Sequence, residues 1–290
     1  MLKTYVFCNQ KGGVGKTTSA VNVAAAVALK KNKVLLIDLD PQGNATSGLG
    51  IDKTNLKETV YNALSGEKKL RDIIVKSAVD NLYIAPANAD LTGAEVELVD
   101  EMGREFVLKR LLEELAVENS NESVFDFVFI DSPPSLGILT LNALVAAQKI
   151  IVPVQCEYYA LEGLGQLLKT IQLVKDRLNK DLDVSGVILT MADFRTKLTS
   201  EVIQEVKNYF GEKVYSTVIP RSVKLSEAPS FGTPGILYDA ESRGTKGYLS
   251  LAEEFIKKES PNQISEEAKE GPFDAPLPAT QAENLANAGN

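Results

Sequence analysis

Residues 11–18 read Lys-Gly-Gly-Val-Gly-Lys-Thr-Thr, between the apolar run Tyr5-Val6-Phe7-Cys8 and an alanine-rich helical pattern. Such a stretch suits a cluster of phosphate oxygens. Gly12, Gly13 and Gly15 lack a Cβ, so the backbone can curl and aim its N–H groups at a phosphate. A helix starting near Lys16 adds unpaired amides and the positive end of its dipole. Lys16 brings a point charge to the β- and γ-phosphates, the Thr17 hydroxyl is placed for Mg²⁺, and Val14 and Thr18 complete the cradle. The spacing predicts a nucleoside triphosphate site, in an unusual form. Gln10 stands where G-x-x-x-x-G-K-[ST] begins with glycine, and a second lysine, Lys11, lies inside the loop.

Two later segments offer carboxylates. Val34-Leu35-Leu36-Ile37 reads as a buried parallel strand and runs into Asp38-Leu39-Asp40-Pro41-Gln42-Gly43. Val128-Phe129-Ile130 leads in the same way to Asp131-Ser132-Pro133-Pro134. Ligands of open α/β sheets bind outside the carboxyl ends of the strands, where these acids fall. Asp131 fits the Walker-B role of holding the Mg²⁺ shell through water, and one of Asp38 and Asp40 is suited to orienting the attacking water. The chain has no histidine. Serine–histidine and cysteine–histidine nucleophiles and imidazole zinc sites are therefore excluded, whereas phosphoryl transfer works through positioning and charge.

The elements that must position these groups alternate. Strand-like runs occur at 4–8, 34–37, 82–85, 125–130, 149–154, 184–189 and 214–219, with helical patterns at 17–30, 104–118, 161–178 and 242–258. This order predicts an α/β fold, a doubly wound and mostly parallel sheet with helices on both faces, as in P-loop NTPases. One domain of this fold over 1–258 is expected, followed by an acidic, proline-containing, disordered tail over 259–290.

The chain resembles the ParA/Soj partitioning ATPases of the deviant-Walker-A class from about residue 3 to about residue 257. The resemblance rests on Asn9 to Thr18, on Asp38 to Ser47, on Ile130 to Gly137 and on Ile219 to Ser230, four motifs in the family's order. It implies ATP and Mg²⁺ as cofactors and an ATP-bound sandwich homodimer in which Lys11 reaches the partner's phosphates. It assigns water activation to Asp40 and adenine packing to Pro220. It also places Arg195 on a surface that binds double-stranded DNA without sequence preference, with Arg221 and Lys224 as further candidates there. A ParB/Spo0J-like protein would stimulate hydrolysis and release the DNA. MinD relatives act instead on membranes or protein assemblies through a basic amphipathic C-terminal helix, a pattern the tail lacks. Dethiobiotin-synthetase-like ligases share the loop but not the Pro-Gln-Gly-Asn-Ala-Thr run.

Composition narrows the setting. Cys8 and Cys156 are far apart and suit core packing in a reducing compartment. A cluster like that of the nitrogenase iron protein would need a cysteine where Pro134 stands. No apolar stretch approaches ~20 residues and no leader pattern precedes the first strand, so no membrane association is expected. The protein is expected in the cytoplasm, and on the nucleoid when ATP-bound. The net charge of −8 opposes a broad DNA-binding footprint. Over 261–290, Glu266, Glu267, Glu270, Asp274 and Glu283, against Lys269, carry half of that charge. DNA contact would thus need a local basic patch acting within a Debye length of ~10 Å, and should be salt-sensitive and nucleotide-gated.

Overall fold

A computed structural model describes residues 2–117, 124–157 and 162–259. The chain divides into two compact units, Met1–Glu254 and Phe255–Asn290. Of the second, only the last turn of one helix is described, and the expected tail beyond Glu259 lies outside the described residues. The sheet and its flanking helices up to Glu254 belong to the first unit.

Eight strands form one sheet: β1 (Lys3–Phe7), β2 (Val34–Asp38), β3 (Val75–Lys76), β4 (Leu82–Ala85), β5 (Phe127–Asp131), β6 (Lys149–Gln155), β7 (Asp183–Ala192) and β8 (Val214–Pro220). Their spatial order is β3-β4-β2-β5-β1-β6-β7-β8. All pairings are parallel except β3 with β4. Every residue of β2 and β5 is buried, so successive side chains meet cover on both faces. This explains why those segments read as unbroken apolar runs. Tyr5, Phe7, Phe127 and Phe129 form a contiguous aromatic stack across β1 and β5, with centroids 5.7–6.3 Å apart.

The helices are α1 (Lys16–Leu29), α2 (Asn44–Gly48), α3 (Val60–Leu64), α4 (Leu70–Ile73), α5 (Leu91–Glu97) and α6 (Val107–Val117), then α7 (Ile138–Ala146), α8 (Glu162–Arg177), α9 (Lys197–Phe210), α10 (Val223–Glu227), α11 (Gly235–Tyr238) and α12 (Arg243–Glu259). Within α1, Ala20 to Ala28 are all buried, since this helix lies across β1, β2, β4, β5 and β6. Its small side chains allow that close approach. Among the described residues no helix is long and apolar enough to cross a membrane.

The expected strands and long helices are present within one to three residues of their expected bounds. The antiparallel β3 was not foreseen, because two residues carry no readable alternation. The strand order puts β1 between β5 and β6, where the chain, having built one half of the sheet, crosses to build the other. The crevice outside the end of β1 is thus the topological switch point, and it holds the glycine loop.

At Gly186 of β7 an added Cβ would run into Cε2 of the buried Tyr215 ring. Gly186→Ala is expected to destabilise the fold by about 1–3 kcal/mol through overpacking, read as a lower midpoint in urea denaturation.

Candidate functional site

The loop from Cys8 to Gly15 is tied down on both sides. Asn9 donates from Nδ2 to the Pro153 carbonyl of β6 at 2.7 Å and accepts the Lys11 amide at 3.0 Å. Thr190 of β7 donates its hydroxyl to the Val14 carbonyl at 2.7 Å, and Ser132 donates to the Phe7 carbonyl at 2.8 Å. Gly13 and Gly15 have φ of 76° and 82°, the left-handed region that a side chain would oppose. A Cβ on Gly12 or Gly13 would meet nothing within 4 Å, so the loop faces open space. At the start of α1, Gly15 offers no side-chain cap and no acid occupies the first turn. The amides there remain free for an anion.

Behind the loop lie buried charges. Lys16 is buried, and Asp38 and Asp131 face each other in register at the ends of β2 and β5, both fully inaccessible. The two acids differ in their partners. Asp38 Oδ2 accepts the Thr46 amide (2.8 Å) and hydroxyl (2.7 Å), and Oδ1 accepts the Asp40 amide (3.2 Å). Thr46 is itself fixed by the Ala87 amide at 2.9 Å. Among the described residues neither oxygen of Asp131 has a hydrogen-bond partner, although the Lys16 charge and the Thr17 hydroxyl lie near enough to favour its ionised form. Desolvation nevertheless dominates and raises Asp131 to about 7 and Asp38 to about 6. Asp40 is nearly buried, and its Oδ1 accepts the Gln42 amide at 2.9 Å.

This arrangement fits Mg²⁺ bound together with a nucleotide. Among the described residues no three acids or thiols converge to chelate a metal alone. Mg²⁺ characteristically takes one or two protein groups and completes its shell with phosphate and water. The unsatisfied carboxylate of Asp131, beside Thr17, is such a partial donor set.

A cavity of about 210 Å³ adjoins the loop, lined by Gly15, Thr18, Met191, Pro220, Arg221 and Tyr248 among others. Pro220, expected against the adenine, is therefore on its wall. Tyr248 is anchored through a 2.9 Å hydrogen bond with Ser19. A larger apolar cavity of about 420 Å³, bordered by Leu136, Leu141, Leu144, Leu173 and Val174, lies between α7 and α8, and none of the loop residues lines it.

Three expected groups lie apart from the phosphate cradle. Lys11 is partly exposed and pairs with Glu157 at 3.6 Å, just beyond β6. Arg195 follows β7, and its segment is joined to that of Arg221 by a 3.0 Å bond from the Arg221 amide to the Ala192 carbonyl. Lys224 is engaged locally, with Glu227 at 3.0 Å and over the Tyr238 ring. Cys8 and Cys156 are free and buried.

A family model described as an AAA domain matches residues 2–184. The chain is 56% identical over 254 residues to the sporulation initiation inhibitor protein Soj of Bacillus subtilis, covering 88% of this chain and 98% of that one. It is 51% identical to the chromosome partitioning protein ParA of Myxococcus xanthus, over 87% of each chain. The chain belongs to the ParA/Soj family of chromosome-partitioning ATPases. Among solved structures, a Mycobacterium smegmatis protein named cobyrinic acid a,c-diamide synthase, with bound ADP and magnesium, superposes with a TM-score of 0.77 at 37% identity, covering 90% of this chain and 97% of that one. The septum site-determining protein MinD of Pyrococcus horikoshii, complexed with Mg-ADP, follows at 0.69 and 25%, covering 90% and 98%. The ParA/Soj fold thus accounts for the sheet order and for the loop at its switch point.

Sequence alone assigned no role in this ParA/Soj site to Asn9 and Thr46, although both lie in its motifs, nor to Glu157 and Thr190. Thr46 had a signal in hindsight, a hydroxyl eight residues after a strand-end aspartate. Thr190, 176 residues from Val14, had none.

Asp38 and Asp131 hold protons to higher pH than aspartates of an unfolded chain, whose value is near 3.8. Their stabilising contribution is full below that value and is lost as pH rises through about 6 to 7. Nucleotide-free protein should therefore lose stability between about pH 4 and about pH 7 in urea titrations, and Asp131→Asn should flatten that loss. Mg²⁺–nucleotide affinity should move the opposite way, rising with pH, because the ion requires the carboxylate.

Proposed function

We propose that this chain is a DNA-segregation ATPase whose ATP-bound sandwich dimer binds double-stranded DNA without sequence preference and is released by hydrolysis. The observation that carries the reading is the position of Lys11. It turns outward to Glu157, while Lys16, Thr17 and the α1 amides line the chain's own cradle. A lysine held at the rim is placed to serve the phosphates of a second copy, with the physics of a finger supplied in trans.

In this reading Gly12 to Thr18 bind the phosphates through backbone amides and the Lys16 ammonium. Thr17 and Asp131 would hold Mg²⁺, which neutralises charge on the phosphate oxygens when bound. Asp40, fixed through its Oδ1, orients the attacking water with its remaining oxygen. Asp38 is occupied by Thr46 and shapes the turn that carries Asp40. Pro220 packs against the base. Arg195, with Arg221 and Lys224, meets DNA phosphates, and a ParB-like partner accelerates turnover. The protein would be cytoplasmic, and nucleoid-bound with ATP.

The test combines nucleotide hydrolysis, dimerisation by light scattering and binding to unrelated duplex DNA. Lys16→Ala should weaken nucleotide binding at least about tenfold, given ~1.5–3 kcal/mol for a charged hydrogen bond, and abolish the other activities. Lys11→Ala should still bind ATP but stay monomeric. Asp40→Ala should stop turnover and retain ATP-dependent DNA binding. ATP-dependent flotation with liposomes and no DNA binding would overturn the reading in favour of a membrane-acting ATPase.

A further inference from the structure

The end of β7 joins the nucleotide cavity to the candidate DNA surface within six residues. Thr190 holds the phosphate loop through Val14, and Met191 lines the cavity. Met191 also has φ of 53°, a left-handed conformation costly for a side chain of its size. The Ala192 carbonyl receives the Arg221 amide. Asp193 then takes the guanidinium of Arg195 in a two-pronged pair, Nε to Oδ1 at 2.8 Å and Nη2 to Oδ2 at 2.6 Å. The Arg195 amide closes on Oδ1 at 3.1 Å, and the Arg221 charge also acts on this carboxylate.

Parallel N–H···O bonds from one guanidinium edge are the geometry in which arginine grips a phosphate. Here that edge is already filled by an anion of the chain's own, while the Arg195 side chain remains 88% exposed. Stability does not account for the pair, since exposed ion pairs contribute about 0–1 kcal/mol. Nor does the turn require a charge. Thr196 bonds to the Asp193 carbonyl through its amide and hydroxyl, and caps α9 through Thr199.

We propose that Asp193 is an internal stand-in for DNA phosphate. It is a positioning residue that occupies Arg195 until a phosphate displaces it, and it lowers the charge of the Arg195–Arg221 patch from two to one. Because only one residue separates it from Met191 on the cavity wall, nucleotide that shifts Met191 also shifts the carboxylate that competes with DNA. The proposal rests on the reading of Arg195 as a DNA contact and adds how that contact is gated.

The test is equilibrium binding of the full chain to unrelated duplex DNA by fluorescence anisotropy, with ATP, ADP or no nucleotide, across a range of salt. Asp193→Asn keeps the shape and the turn and removes the charge. It should bind about 1.5- to 5-fold more tightly than the natural sequence, with the gain larger without ATP, so that discrimination between nucleotide states narrows. Its log–log salt slope should change by less than about 0.9, because the phosphate that displaces Asp193 is contacted in both proteins. Asp193→Asn combined with Arg195→Ala should return to the level of Arg195→Ala alone. If Asp193→Asn binds equally or more weakly while the natural sequence binds with ATP, Asp193 is not a competitor and the DNA reading stands. If the natural sequence binds no DNA with any nucleotide, the DNA reading and this proposal fail together.

Discussion

Two carboxylates and a lysine ammonium are buried together at the carboxyl edge of a parallel sheet, and the rest of the site depends on that burial. A lone ion in such a place loses several kcal/mol of hydration, so each group needs a counter-charge, a set of hydrogen bonds or a proton. Asp38 has hydrogen bonds. Lys16 has the acids beside it. Asp131 has neither bond, and desolvation pushes it toward its neutral form. A divalent cation with phosphate attached would supply positive charge to Asp131 and present negative charge to Lys16 and the α1 amides. Affinity for Mg²⁺–nucleotide is therefore a property of the fold's electrostatics rather than of a few added contacts.

That charge cluster has to be held still, and the strand order does so. Because β1 runs between β5 and β6, the loop leaving it is within reach of Ser132 on one side and Pro153 on the other, with Thr190 one strand further out. The three tethers act on backbone carbonyls or through them and use no loop amide themselves, while Asn9 takes that of Lys11. A glycine-rich loop without such tethers would lose much of its binding energy to ordering. Thr190 connects the phosphate loop to β7, whose continuation bears Asp193 and Arg195.

What was legible in the sequence was whatever lies close along the chain. The phosphate loop occupies eight consecutive residues, and the buried strands announce themselves by runs such as Val34 to Ile37 and Phe127 to Ile130. Asp131 was legible because a strand end fixes where its side chain must be. The roles of Asp38 and Asp40 were not separable from spacing, since both end the same strand. They part only in three dimensions, where Thr46 folds back onto one and leaves the other with a single amide. Glu157 opposite Lys11, and Asp193 opposite Arg195, look in sequence like ordinary surface acids. Their meaning depends on which cation they face, and that is set by strand order and turn geometry.

The conflict between an acidic chain and the polyanionic ligand proposed for it also has a local answer. Coulomb attraction at the surface is screened within ~10 Å, so the total of −8 matters less than the few charges within that distance of a phosphate. Arg195 and Arg221 are brought together by the bond between their segments, and Asp193 cancels part of their charge. In the proposed function a patch of this kind would be too weak in one chain to hold DNA at appreciable salt, since it neutralises few phosphates. In the proposed two-fold dimer the patch would be doubled on one duplex, and the second contact would then benefit from the high effective concentration set by the first. Weak charge in the monomer and summed charge in the dimer is what a nucleotide-controlled grip requires. A permanently strong basic face would bind DNA in every nucleotide state and could not be switched.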